Sequence, residues 1–143
     1  MQIDGYNIGK QVLVLAPVAT ALADDTAQTG AIVDHRNFGS VTYYIITGTL
    51  ADAAAAFAVT MEHGDDAALG DTAAVVDAQL LGTLAGASFT QADDSKVIKL
   101  GYIGGKNFSR IKITPTGNGS AAPLAIIAVL GHPRVGPQST QKL

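Results

Sequence analysis

Ser40 to Gly48 reads SVTYYIITG. Branched and aromatic side chains fill it on both parities, which suits a pleated strand and predicts one covered on both faces. Tyr43 and Tyr44 are neighbours, so their side chains point to opposite faces of that strand. Either the outward one packs under a second covering layer, or it meets solvent and is an anchor for a partner.

Further strands lie on either side of this run. Gln11 to Ala16 alternates, with Val12, Val14 and Ala16 on one side. Ala55 to Glu62 places Phe57, Val59 and Met61 opposite Ala58, Thr60 and Glu62, before a turn at His63-Gly64-Asp65-Asp66. Lys96 to Ile103 and Phe108 to Thr114 are two more, joined by Gly104-Gly105-Lys106-Asn107, a hairpin signal. In the second, Ile111 and Ile113 point in while Arg110 and Lys112 point out. A tight-turn pair, Asn118-Gly119, precedes a last apolar strand from Pro123 to Leu130. Residues 71–89 are expected to be extended or irregular, since Val75-Val76 and Gly82 spoil a helix there. The expectation is an all-β chain: a single-domain β-sandwich or jelly roll of about eight antiparallel strands. Its domain spans residues 11–131, between an N-terminal arm at 1–10 and a C-terminal arm at 132–143.

The chain has 143 residues, one domain by length, and a net charge of −3. Hydrophobic residues make up 48% and charged ones only 15%, so much of the surface must be small and uncharged. That suits a protein covered by neighbours rather than one kept apart by charge. Without Cys there is no disulfide, thiolate metal site or cysteine nucleophile. No run reaches the roughly 18 apolar residues of a membrane span. Val12 to Ala23 imitates a secretory signal, but Asp4 and Pro17 depart from the pattern. Mild acidity argues against a nucleic-acid binder.

Charge is unevenly distributed. Residues 1–94 carry all 12 acidic residues and two basic ones, Lys10 and Arg36; residues 95–143 carry seven basic residues and no acid. Two readings follow. The halves interleave and neutralise each other in the fold, or Lys96, Lys99, Lys106, Arg110 and Lys112 gather as a basic patch that meets an acidic area on a partner. On the second reading Arg110 is the leading candidate, because its planar fork holds a carboxylate with two hydrogen bonds.

Sites of chemistry are hard to find. His35, His63 and His132 are far apart, and no His-x-His suggests a cupin-type metal centre; His35 beside Asp34, and His63 beside Asp65 and Asp66, read as solvated turn residues rather than ligand pairs. The pairs Asp24-Asp25, Asp65-Asp66 and Asp93-Asp94 lack the alternating ligands of a calcium loop. Gly117 to Ala122 fits a loose dinucleotide fingerprint, but Pro123 and a strand follow where a helix is required. There is no G-x-S-x-G elbow. The expectation is a non-enzyme without metal or cofactor.

Gly101-Tyr102-Ile103-Gly104-Gly105-Lys106, Arg110 and Leu130-Gly131-His132-Pro133-Arg134, with Thr60 to Asp66 upstream, carry a resemblance. Across residues 40–136 the chain resembles the jelly-roll capsid cement (decoration) proteins of tailed bacteriophages. The resemblance implies a structural virion protein on the outer capsid surface, present in the host cytoplasm before assembly. It implies two partners: the major capsid protein, whose neighbouring subunits it clamps, and a second copy in a homodimer. Neither nucleic acid nor membrane is implied, and no catalytic residues carry over. Tyr44, Lys106, Arg110, Lys112, His132 and Arg134 are the interface candidates. Two other readings remain open: a phage tail, baseplate or adhesin-type binding module, and a cupin-like metal enzyme.

Overall fold

The computed structural model describes residues 6–17 and 22–138. Strand accounts for 49% and helix for 8%, far below the roughly 30% helix of an average globular domain. The strands are β1 (Gly9–Leu15), β2 (Gln28–Thr29), β3 (Val33–Asp34), β4 (Phe38–Thr47), β5 (Ala56–Gly64), β6 (Ala73–Ala74), β7 (Leu80–Leu81), β8 (Phe89–Thr90), β9 (Val97–Tyr102), β10 (Phe108–Thr116) and β11 (Leu124–Pro133), with one short helix, α1 (Leu84–Ala87).

These form two antiparallel sheets. The first has the order β1-β11-β4-β9-β7. The second runs β2-β10-β5-β6, with β3 also on β10 and β8 also on β5. If β2 and β3 count as one interrupted strand, and β6 and β8 as another, nine principal strands make up this β-sandwich, close to the eight or so expected. The chain changes sheet at almost every connection.

Two long ladders organise the layers. β4 pairs with β11 from Thr47↔Leu124 to Phe38↔Pro133, and β5 with β10 from Ala56↔Thr116 to Gly64↔Phe108. Alternation then sends Tyr43, Ile45, Leu100, Ile126 and Leu130 of the first sheet toward Phe57, Val59, Met61, Ile111 and Ile113 of the second. This is the core. Phe57 and Phe89 stack within it, centroids 4.8 Å apart.

One edge is closed by the chain leaving β2. Gly30 N–H donates to Ile111 O of the second sheet and Ala31 N–H to Val14 O of the first. A Cβ on Gly30 would stand 2.6 Å from Val14 Cγ1, so only glycine fits at this crossing.

Several expectations need correcting. Gly104 to Asn107 does not close a hairpin: β9 pairs with β4 and β7, β10 with β5, β2 and β3, so this turn carries the chain between sheets. A glycine-rich reversal marks the turn, but what pairs beyond it depends on distant strands. β1 starts at Gly9 and β11 ends at Pro133. Between the arms, Gln138 N–H donates to Asn7 O. Residues 1–5 and 139–143 of those arms lie outside the described residues. The segment 71–89 is short strands, α1 and a single 3-10 turn at Asp77–Gln79, close to the expected irregular chain.

Candidate functional site

The SVTYYIITG strand is covered on one side only. Val41, Tyr43, Ile45 and Thr47 are buried against the second sheet. Thr42, Tyr44 and Ile46 lie on the other face, and nothing in the described chain layers over them. The expectation of two-sided burial therefore fails within the monomer, although the composition that prompted it is real.

Strand register assembles that outer face into three cross-strand rows. Leu13, Ile127, Tyr44 and Lys99 form one. Gln11, Val129, Thr42, Gly101 and Leu81 form the next. Ala125, Ile46 and Val97 form the third. Leu81 and Val97 are each 63% exposed and Leu13 is 54% exposed. Lys99 is the one ionisable group among these residues apart from the Tyr44 phenol. Five strands at about 4.8 Å spacing make the face about 20 Å wide. A contiguous apolar surface of this kind is a candidate interaction site.

The second sheet presents a different outer face, with Thr60, Ala58 and Ala56 of β5 opposite Lys112, Thr114 and Thr116 of β10. Here the basic-patch expectation meets the geometry. Arg110 donates from Nε to Glu62 Oε1 at 2.6 Å, and its Nη2 contacts the same oxygen. Lys106 Nζ pairs with Asp65 at 2.7 Å and Lys96 Nζ with Asp93 at 2.9 Å. The acid-rich first part and the basic last part thus neutralise each other across neighbouring elements. Arg110 has its carboxylate within its own chain, so the unbalanced basic patch is not formed.

The six interface candidates are not brought to one place. Tyr44 lies on the apolar face of the first sheet; Arg110 and Lys112 are on the outer face of the second. Lys106 is in the turn between β9 and β10. His132, near the end of β11, and Arg134, just beyond it, are exposed. His132 takes a left-handed φ of 53°, uncommon for a residue with a Cβ, and its Nδ1 lies 3.2 Å from Ser40 Oγ. Two of the sequence motifs do converge. Tyr102 pairs with Val41 and Gly131 with Ser40, so Gly101 to Lys106 and Leu130 to Arg134 flank the same end of β4.

That end contains residues whose surroundings the sequence did not reveal. His35 and His63 are not solvated turn residues; both are buried. Their rings lie 5.1 Å and 5.8 Å from the Tyr102 ring. His63 Nδ1 is 2.8 Å from Tyr102 Oη, and His35 Nε2 is 3.1 Å from Ser109 Oγ. Ser109 Oγ is also 2.8 Å from Tyr43 Oη. Burial holds both imidazoles below the usual histidine range and raises the Tyr43 phenol. A serine beside an imidazole is the contact of a nucleophile and its base, but Ser109 is 0% exposed and no substrate reaches it.

Loop carboxylates are structural too. Asp25 accepts from the amides of Gly117 and Asn118, and Asp94 accepts from Leu50 at 2.6 Å. Asp71 accepts from Asp65 and Asp66, whose amides hold its carboxyl below the usual range. Among the described residues no three His, Asp or Glu side chains gather as a metal ion requires. No helix among them is long and apolar enough to cross a membrane.

The Arg110–Glu62 pair gives a stability prediction. Both side chains are about 30% exposed, so a double-mutant cycle with Arg110→Ala and Glu62→Ala should yield a coupling of about 1 kcal/mol at low salt. It should shrink as salt is added. A coupling near zero at low salt would mean that solvent separates the pair in solution.

No family model and no curated protein matches the chain. Among solved structures, the C-terminal family 22 carbohydrate-binding module of a Clostridium thermocellum protein is similar at 9% identity and a TM-score of 0.33, over 98% of this chain and 91% of that one.

Proposed function

We propose that this chain is a structural virion protein, a capsid cement protein that docks on the outside of a tailed-phage shell and clamps neighbouring major capsid subunits. The apolar outer face of the first sheet supports this reading. Core-type side chains at Leu13, Tyr44, Ile46, Leu81, Ile127 and Val97 are left on a face over which no described residue lays a second layer, and fully burying an exposed aliphatic side chain is worth about 1.5–3 kcal/mol. The resemblance carried by residues 101–106 and 130–134 points the same way, and those segments lie at one end of this sheet. On this reading the shell subunits supply the missing layer, and pairing of two copies on the shell completes the clamp. The ion pairs of the second sheet are internal and contribute to the fold rather than to docking.

The test uses expanded heads assembled without the protein. Purified chain should sediment with them, saturate at a fixed ratio to the major capsid protein, and raise the temperature at which the heads disrupt. Absence of co-sedimentation with heads of the phage that encodes the chain would overturn the reading.

A further inference from the structure

We propose that His35 and His63 form an acid-sensitive latch, which holds the crossover between β3 and β4 against the turn between β9 and β10 and releases it when the imidazoles take up protons. The donors and acceptors present point to a direction for the key contact. Lys106 N–H donates to Tyr102 Oη at 3.2 Å, so the single hydroxyl proton of Tyr102 is free to go to His63 Nδ1, 2.8 Å away. We take His63 as the acceptor, in its neutral form with the proton on Nε2, since that arrangement gives the Tyr102 proton a partner. Protonation at Nδ1 turns that acceptor into a donor. Tyr102 Oη then faces two donors, and its own proton loses its partner inside the sandwich, where an unmade hydrogen bond is costly.

The second imidazole adds to this. His35 packs on the same Tyr102 ring, and its backbone N–H donates to Asn107 O, tying the crossover to the turn. Charging both rings places two cations on one tyrosine, near the Lys106 ammonium. The facing groups are Ser109 of β10 and Tyr43 of β4 around His35, with Asp34 beside it, itself paired to Arg36. Around His63 they are Lys106, Asp65 and Asp71. Asp65 and Asp71 favour the proton, but burial and Lys106 oppose it, and the net effect is a lowered pKa; at His35 burial again outweighs Asp34.

The sign follows. The closed end binds fewer protons than the open one below the ordinary histidine value of about 6.5, so the latch is fully closed above that value. It weakens as pH falls through 6.5 toward the lowered values. Asp34, Asp65 and Asp71 are all held below the usual carboxylate range, so they remain ionised across this window.

Amide hydrogen exchange on the intact chain at about pH 7.5 and about pH 5.0 tests the latch. Protection factors should fall at two reporters, His35 N–H and Lys106 N–H, by up to about tenfold for each unit by which an imidazole pKa is lowered. The β4–β11 ladder should keep its protection. The ring NMR signals of His35 and His63 should titrate over the same range. The variant with His35→Gln and His63→Gln, which leaves exposed His132 in place, should lose the pH response. Unchanged reporters in the native chain would overturn the proposal, as would loss shared equally with the ladder. A response that persists in the double variant would overturn it too. The comparison within the native chain stands even if the variant fails to fold.

Discussion

Changing Leu81 and Val97 together to Glu should abolish docking on the capsid while leaving the monomer folded. Both side chains lie on the outer face of the first sheet, one on β7 and one on β9, and each is 63% exposed. In the free protein a carboxylate there stays in water, so each substitution should cost less than about 1 kcal/mol of stability, mainly through poorer strand propensity. In the docked state the same carboxylates would be desolvated without a partner, a penalty of several kcal/mol. Binding should fall more than about a hundredfold, since about 1.4 kcal/mol is a factor of ten. Sedimentation with expanded heads reads the binding, and a thermal melt reads the fold. Unchanged binding with an unchanged melt would show that this face stays in solvent and that docking uses another surface.

Phe57→Ala should have the opposite profile. Phe57 is buried between the sheets and stacks on Phe89, which belongs to the short strand β8 beside β5. Truncation removes the ring and leaves a cavity that two hydrogen-bonded sheets cannot readily close, a loss of about 3–5 kcal/mol. That is a large share of the roughly 5–15 kcal/mol that holds a domain together. Denaturant unfolding should show a lower midpoint with little change in slope. Tyr44→Ala, on the other face of the first sheet, should cost markedly less in the same assay. If both cost the same, the outer face is covered in solution, for example by a second copy. A concentration-dependent melt would then identify that cover.

The two substitutions separate what a strand does for the fold from what it does for a partner. Inner positions of β4, β5, β9, β10 and β11 make the sandwich. Outer positions of the first sheet carry side chains of the same type with no described residue layered over them. The outer face of the second sheet, with its threonines, alanines and the Arg110–Glu62 pair, is already suited to water. This asymmetry between faces is the physical basis of the docking reading.

Period-two alternation is local, so it was readable residue by residue. Ile111 and Ile113 point in and Arg110 and Lys112 point out because successive side chains on one strand must alternate. The same reasoning put Phe57, Val59 and Met61 on one face of their strand and recognised an all-β sandwich from strands and turns at regular spacing. It also registered core-type side chains on both parities of SVTYYIITG. Which of those parities is covered depends on what lies above the sheet, and only the packed layers decided that. Tertiary structure likewise turned the Gly104 to Asn107 reversal into a crossing between sheets, because strand pairing is set by partners far along the chain. It joined Arg110 to Glu62 across a separation of 48 residues and His63 to Tyr102 across 39. Neither contact leaves a trace in local spacing. A histidine beside aspartates looks the same in a solvated turn as in the interior, and its burial is decided by the tyrosine ring that the fold brings against it.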